Sequence, residues 1–355
     1  MIDTIAQKIK SKAIELGYEK CGIIKVSEMS GYSDKLKERS SRVFAGSLQF
    51  GRFRVFAKPQ KKYPWAKSII VLVNNYAGYN VPIGFDGMYG KAYMFDGRLE
   101  EKSREFKRRN EFASFLKLEG LKIENEPKFG ITALRWAAYK AGIGIIRKNN
   151  FFYTENDSWN FLEAWLIDRE VELVEKTDYD DCPKSCNICI NACPTGSLSQ
   201  PYTTSLLKCA SFITTLAAEN GIGVPTMKTA AKLGRCLYGC DICQSVCPLN
   251  KDKFIGGIDF PGLMEVAEYM SPEKIMTMDY DEIERFLSVK YWYISPKHLW
   301  KWKLNALAFM GNNFVENYRE AMKLGIYDKN RRVRSFARKI MGIMKKSKIT
   351  SSNKR

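Results

Sequence analysis

The sequence predicts an α+β chain in three parts: an α/β region over residues 1–172, a cysteine-rich metal region over 173–255 and a helical region over 256–345, followed by a polar tail at 346–355. Three observations carry this. Helix and strand periodicities alternate up to about residue 170. Nine of the ten cysteines fall between Cys182 and Cys247. Beyond Asn250 the apolar spacing turns helical.

In the first part, Ile5, Ile9, Ala13 and Leu16 recur at helical spacing within Ile2–Leu16, and Gly17 closes that helix. Cys21-Gly22-Ile23-Ile24 reads as a short buried strand, and Cys21, with no thiol neighbour, as a core residue. Tyr32–Lys67 is basic and irregular, with Arg52, Arg54, Lys58, Lys61 and Lys62 set among Phe53, Phe56, Tyr63 and Trp65. We read it as a loop layer packing rings on the sheet, the alternative being a nucleic-acid surface. The run Ser68–Val73 is a strand buried on both faces. Arg98–Glu119 is a long amphipathic helix whose Arg104, Lys107, Arg108 and Arg109 form a solvated face. A helix over Thr132–Ala141 runs into a loop containing Gly142, Gly144, Lys148 and Asn149, and Trp159–Ile167 is the closing strand.

The second part carries the chemistry. Cys182, Cys186, Cys189 and Cys193 precede Pro194; Cys236, Cys240, Cys243 and Cys247 precede Pro248. Pairs of thiols three residues apart, with a further cysteine before proline, have the spacing of iron–sulfur ferredoxins, where the cysteine before proline ligates the other cluster. Crossing in that way joins Cys182, Cys186 and Cys189 to Cys247. Cys193, Cys240 and Cys243 are left to hold a second cluster with either Cys236 or Cys209. A four-thiolate zinc ribbon on Cys186, Cys189, Cys240 and Cys243 is the alternative, and it leaves Cys193 and Cys247 without a role. The single histidine, His298, lies far along the chain, which excludes a histidine-ligated centre. A helix of roughly Ser205–Ala218 separates the two motifs.

In the third part Ser271-Pro272-Glu273 is a helix start, with a capping serine and proline at the first helical position. Trp300–Met310 and Arg331–Met344 form a helix pair joined by Asn312–Asn330, and the tail Lys345–Arg355 is polar and expected to be disordered. The start of the chain lacks the apolar core of a signal peptide, and no apolar run reaches the length of a bilayer span. These features point to a cytoplasmic protein without a membrane partner. The formal charge of +18 stays strongly positive after about four units are subtracted for two four-iron clusters, so an anionic partner, with tRNA first, is expected.

At this point the chain resembles a known family. Lys208-Cys209-Ala210-Ser211-Phe212-Ile213 and the run from Tyr238 through Cys240, Cys243 and Cys247 to Asn250 are similar to the epoxyqueuosine reductases, cobalamin-dependent two-cluster enzymes of tRNA queuosine biosynthesis. Tyr63–Ile70, Ala141–Asn149, Ser158–Asp168, Asn305–Asn312 and Arg332–Ala337 extend the likeness over most of the chain. The resemblance implies a nitroreductase-like cobalamin domain, a ferredoxin-like insert with two [4Fe-4S] clusters and HEAT-like helices that help bind tRNA. It implies Cys209 as the remaining cluster ligand, with Cys236 an extra thiol. It also places Gly142, Gly144, Lys148, Asn149 and Asp168 on the cobalamin side, with an external electron donor such as ferredoxin or flavodoxin and a monomeric chain.

Three departures from the family pattern stand out. Cys182 and Cys186 are separated by three residues where two are usual, and Arg147 stands where glycine is usual. The family's proton-donor aspartate is replaced by Lys128, with Glu126 two residues off register. A lysine serves as a ready donor only when burial lowers its pKa. Two further readings therefore accompany the first: a related reductase of a small molecule, and an electron-transfer protein that keeps the clusters without catalytic cobalamin.

Overall fold

Ser68–Asn75 is the axis of the fold because its residues are buried from Ser68 to Asn74, so both faces must be covered. In the computed structural model, which describes residues 4–352 with side chains through residue 344, it is the second strand of a four-stranded sheet. Lys20–Lys25 pairs on one side and Asn160–Ile167 on the other, with the short strand Ile123–Asn125 at the far edge. All three pairings are antiparallel, with Val71 opposite Gly22 and Ala164.

Alternation along the strand sends its side chains to two cores. Ile69, Val71 and Val73 pack with Ala137 and Ala138 of the helix Leu134–Lys140 and with Ala141, which caps its C-terminus. Ile70 and Leu72 pack with Ile9 and Ala13 of the helix Ile5–Glu15 and with Phe112 and Leu116 of Arg104–Leu118. Cys21 lies in this second core, fully buried, as expected. The long helix begins later than its apolar pattern predicted because Ser103 caps it, accepting the Phe106 N–H at 3.0 Å. Its basic face is not wholly solvated. Arg108 and Arg109 are buried, Arg108 over the Tyr18 ring at 4.4 Å and donating to the Gly17 carbonyl, and Arg109 donating to the Arg98 carbonyl. The segment read as an irregular layer contains the helices Tyr32–Ser41 and Gly46–Phe50.

A third and largest core crosses the boundaries drawn from sequence. It joins Tyr76, Tyr89 and Phe95 to Leu237 and Tyr238 of the cysteine region and to Trp302, Leu307 and Phe336 of the last helices. The expected helix over Ser205–Ala218 is broken, with Ala210–Thr214 as its α-helical part. The helix Trp300–Asn312 is buried all round, and the link after it contains another helix, Tyr318–Leu324, hidden from sequence by its short length. The final helix runs Arg331–Ser352, so helix continues into the stretch expected to be disordered. Among the described residues no helix is long and apolar enough to cross a membrane.

Lys301 carries a cost within this core. It is fully buried, its ammonium has no hydrogen-bond partner among the described residues, and burial lowers its pKa to about 8. A lysine whose folded pKa lies below its unfolded value holds fewer protons when folded, so stability climbs as pH rises from about 8 to 10.5. Lys290, likewise lowered to about 8 by burial, adds to the same rise. Replacing Lys301 by Met should stabilise the chain at pH 7 by on the order of 3 kcal/mol and make that rise shallower. Denaturant titrations across this pH range check it; a destabilised Lys301→Met with the full rise retained would contradict it.

Candidate metal centre and cofactor cavity

Each close thiol pair sits at a short helix, Ile188–Asn191 for the first motif and Ile242–Ser245 for the second. These turns place the cysteines around two separate cavities. Cys182, Cys186, Cys189 and Cys247 line one; Cys193, Cys209, Cys240 and Cys243 line the other. The crossed partition expected from the proline-following pattern is therefore the geometry of the folded chain. Cys189 also neighbours Cys243, so the two sets adjoin.

Burial raises the Cys189, Cys209 and Cys243 thiols above their ordinary range, and the surrounding thiols add to it. Loading metal therefore has to release protons. Among the described residues no group of three or more His, Cys, Asp or Glu side chains is set to hold a single metal ion. Tetrahedral zinc at about 2.3 Å from each sulfur would need thiolates about 3.8 Å apart. Each cavity is lined by four thiols and by no histidine or carboxylate, and on that donor chemistry the residues fit two four-iron clusters. Cys236 lines neither cavity. It is buried in the large core, and its hydrogen bond to Cys240 is the first cause raising the Cys240 thiol, ahead of burial.

The loop after Ala141 fastens both motifs. The Lys148 ammonium donates to the carbonyls of Pro183 at 2.6 Å, Lys184 at 3.0 Å and Cys186 at 2.8 Å. Those carbonyls belong to the first motif's longer spacing, so the extra residue is folded around one lysine. Asn149 donates to the Cys243 carbonyl at 3.0 Å and to the Tyr153 hydroxyl at 2.8 Å, and it lines the second cavity. Ser158, Gln244 and Asn250 form a buried hydrogen-bond knot that ties the second motif to the start of the closing strand. Arg147 lies against the first cavity with its guanidinium 5.4 Å from the Tyr153 ring centre.

Other expected residues lie elsewhere. A Cβ on Gly142 would fall 1.7 Å from the Glu175 carbonyl oxygen, and one on Gly144 would fall 2.3 Å from that of Tyr153. Both glycines serve close backbone packing and present no face to either cavity. Asp168 follows the end of the strand whose start meets the cysteine region, a strand's length of about 25 Å away. There its carboxylate accepts the Lys122 N–H at 3.1 Å.

Lys128 is exposed, not in the desolvated setting expected of a lysine donor. Its ammonium lies 5.7 Å from the Trp292 ring centre, its N–H donates to Glu126 and its carbonyl accepts from Arg98. Arg98 also binds Asp96 at 2.7 Å and donates to the Tyr293 hydroxyl at 2.7 Å. Burial pushes Asp96 upward, but the Arg98 ion pair outweighs it and leaves the carboxyl below its usual range.

Sequence reading missed most of the second cavity's wall. The cavity, of about 370 Å³, is also lined by Tyr32, Arg39, Phe50, Phe53, Arg135 and Asn150. These come from three distant segments, and no local pattern joins them. A separate groove of about 780 Å³ lies between Val224–Met227 and the start of the last helix, with Lys329, Arg331, Arg332 and Lys339 on its wall.

Two four-thiol cavities adjoining an α/β domain define an iron–sulfur oxidoreductase. Residues 182–250 match the 4Fe-4S double cluster binding domain. The chain is 30% identical over 252 residues to an epoxyqueuosine reductase of Cellulophaga algicola, covering 68% of this chain and 78% of the relative. It is 28% identical over 313 residues to that of Prochlorococcus marinus, covering 85% and 96%. A crystal structure of an epoxyqueuosine reductase superposes with a TM-score of 0.74 at 22% identity, over 95% of this chain and 89% of the other. Another, with a TM-score of 0.73 at 22% identity over 93% and 88%, holds an epoxyqueuosine-modified tRNA-Tyr stem loop. The chain belongs to the epoxyqueuosine reductase family. Two [4Fe-4S] clusters are the cofactors that the matched domain brings.

Proposed function

We propose that this chain reduces epoxyqueuosine in tRNA to queuosine, taking two electrons and two protons to convert the epoxide to an alkene and release water. The observation that carries the reading is the pair of adjoining four-thiol cavities, the second of which shares its wall with the α/β domain. In this reading Cys182, Cys186, Cys189 and Cys247 hold the first cluster, and Cys193, Cys209, Cys240 and Cys243 the second. Bound cobalamin supplies the low-valent cobalt for two-electron chemistry. Lys148 and Asn149 keep the two cysteine loops in register with the domain that would hold it. Lys128 sits at the family's acid position. Exposed in the free chain, it would be desolvated by a bound substrate and so brought into the setting a lysine donor needs. Electrons would come from a ferredoxin or flavodoxin in the cytoplasm, and the chain would work as a monomer.

The test is anaerobic reconstitution followed by cobalamin and a stem loop carrying the epoxide. Queuosine formation with about eight irons per chain supports the reading; a cluster-loaded chain that takes up no corrinoid supports the electron-transfer reading instead. The basic groove at the last helix favours RNA over a small molecule. Contacts from its four basic side chains should give a log–log slope of stem-loop affinity against salt of about −3, and Arg331→Ala with Lys339→Ala should flatten it by about 1.5. No binding at low salt would favour the small-molecule reductase, the alternative that exposed Lys128 raises.

A further inference from the structure

We propose that Tyr153 is a tuning residue for the first cluster: its hydroxyl donates a hydrogen bond to Sγ of Cys247 and so raises the potential at which that cluster takes up an electron. The proposal rests on the two-cluster reading given above and is independent of the substrate and of cobalamin.

The direction of that hydrogen bond follows from its neighbours, three buried amides whose orientation backbone groups fix. The Asn250 side-chain oxygen accepts the Ser158 N–H at 3.0 Å, so the Asn250 amide nitrogen is the atom that meets Ser158 Oγ at 2.8 Å. Gln244 Nε2 donates to the Ser158 carbonyl and to Ser158 Oγ, each at 2.9 Å. The Asn149 side-chain oxygen accepts the Phe151 N–H, which turns its nitrogen to the Cys243 carbonyl and the Tyr153 hydroxyl. Ser158 Oγ therefore accepts twice, which fills its two lone pairs, and its own proton has to be donated. Tyr153 is the side chain that takes it. The phenol oxygen then accepts from both Asn149 and Ser158. Its proton goes to the remaining contact of the hydroxyl, Cys247.

Tyr153 and Cys247 line the first cavity together. Tyr153, Ser158 and Gln244 are each no more than 2% exposed, so bulk water does not compete for these groups. A cluster thiolate gains negative charge when an electron is added, and a hydrogen bond to it strengthens with that charge. The reduced cluster is stabilised more than the oxidised one, and the potential rises. Arg147 acts in the same direction from the same wall. Its guanidinium lies 5.4 Å from the Tyr153 ring centre, and its Nε is buried without a hydrogen-bond partner among the described residues. A rival account makes Tyr153 a ring that only fills the base of the cavity.

The full-length chain, loaded with iron and sulfide, would be titrated with dithionite and redox mediators at pH 7 and followed by low-temperature paramagnetic resonance. The signal kept in Cys209→Ala identifies the first cluster. Tyr153→Phe removes one oxygen atom and should leave iron at about eight per chain. It should shift reduction of the first cluster about tenfold against the electron, about 59 mV for a one-electron couple, with the second cluster unmoved. Fluorotyrosine at position 153 has nearly the same shape and a more acidic hydroxyl, and it should move the same potential upward, which a space-filling ring would not do. Arg147→Gln should lower it. The assignment is overturned if Tyr153→Phe moves neither potential or both equally, or if Arg147→Gln alone lowers the first. If Tyr153→Phe fails to load iron, the fluorotyrosine chain decides, and an unchanged first potential there overturns the assignment. An unaltered chain that assembles fewer than two clusters defeats the two-cluster reading and this assignment with it, whereas two clusters with an unmoved first potential defeat the assignment alone.

Discussion

Cys209→Ala is expected to bind about four irons per chain after anaerobic reconstitution, where the unaltered chain and Cys236→Ala bind about eight. The reason is positional. Cys209 opens on the same cavity as Cys193, Cys240 and Cys243, whereas Cys236 is buried beneath it, between Leu233 and Leu237 in an apolar core. Alanine at 209 leaves three thiolates and an open coordination position. Alanine at 236 removes one small apolar-packed group and the hydrogen bond that raises the Cys240 thiol. That variant should therefore load iron at a slightly lower pH, since Cys240 gives up its proton more easily. Iron and sulfide analysis with low-temperature paramagnetic resonance distinguishes the outcomes. Iron lost in Cys236→Ala and retained in Cys209→Ala would reverse the assignment.

Lys128→Ala is expected to lower turnover at least about 100-fold while iron content and corrinoid uptake stay unchanged. An ammonium group that donates a proton at the reaction is needed for chemistry, not for folding, and this one is exposed on a loop held by its own backbone contacts. Lys128→Asp restores the residue usual in the family and should keep activity. Its pH profile should shift to lower pH, because a carboxylic acid loses its proton well below a lysine. Full activity in Lys128→Ala would remove Lys128 and direct attention to Tyr293. That hydroxyl is bonded to the Arg98 that also holds the Lys128 carbonyl, and Tyr293→Phe would then carry the loss.

The cluster chemistry was legible in the sequence because the spacing that brings thiols together is local. Close ligands stand three positions apart, and a single tight turn joins them: Cys189 and Cys243 lie in the short helices Ile188–Asn191 and Ile242–Ser245, with Cys186 and Cys240 just before them. The central strand was legible for a similar reason, since an unbroken β-branched run has few other stable arrangements. Helix ends were less so. The cap at Ser103 and the break after Thr214 depend on single hydrogen bonds that apolar periodicity does not register. The basic face of the long helix misled because charge by itself reads as exposure; Arg108 and Arg109 find carbonyl and ring partners only once Tyr18 and Arg98 are folded against them.

The sequence by itself determined the thiol-rich span and the family, and it offered a crossed pairing with Cys209 or Cys236 left open, because those rest on residue type and short spacing. Only the tertiary structure decided the rest. It gave Lys148 and Asn149 to the cysteine loops, put Asp168 a strand's length from the cavities, left Lys128 at the surface and brought Arg39 and Arg135 together on Asn150. Each of these depends on contacts between segments tens of residues or more apart. Such contacts are set by how cores pack, and no window along the chain contains both partners.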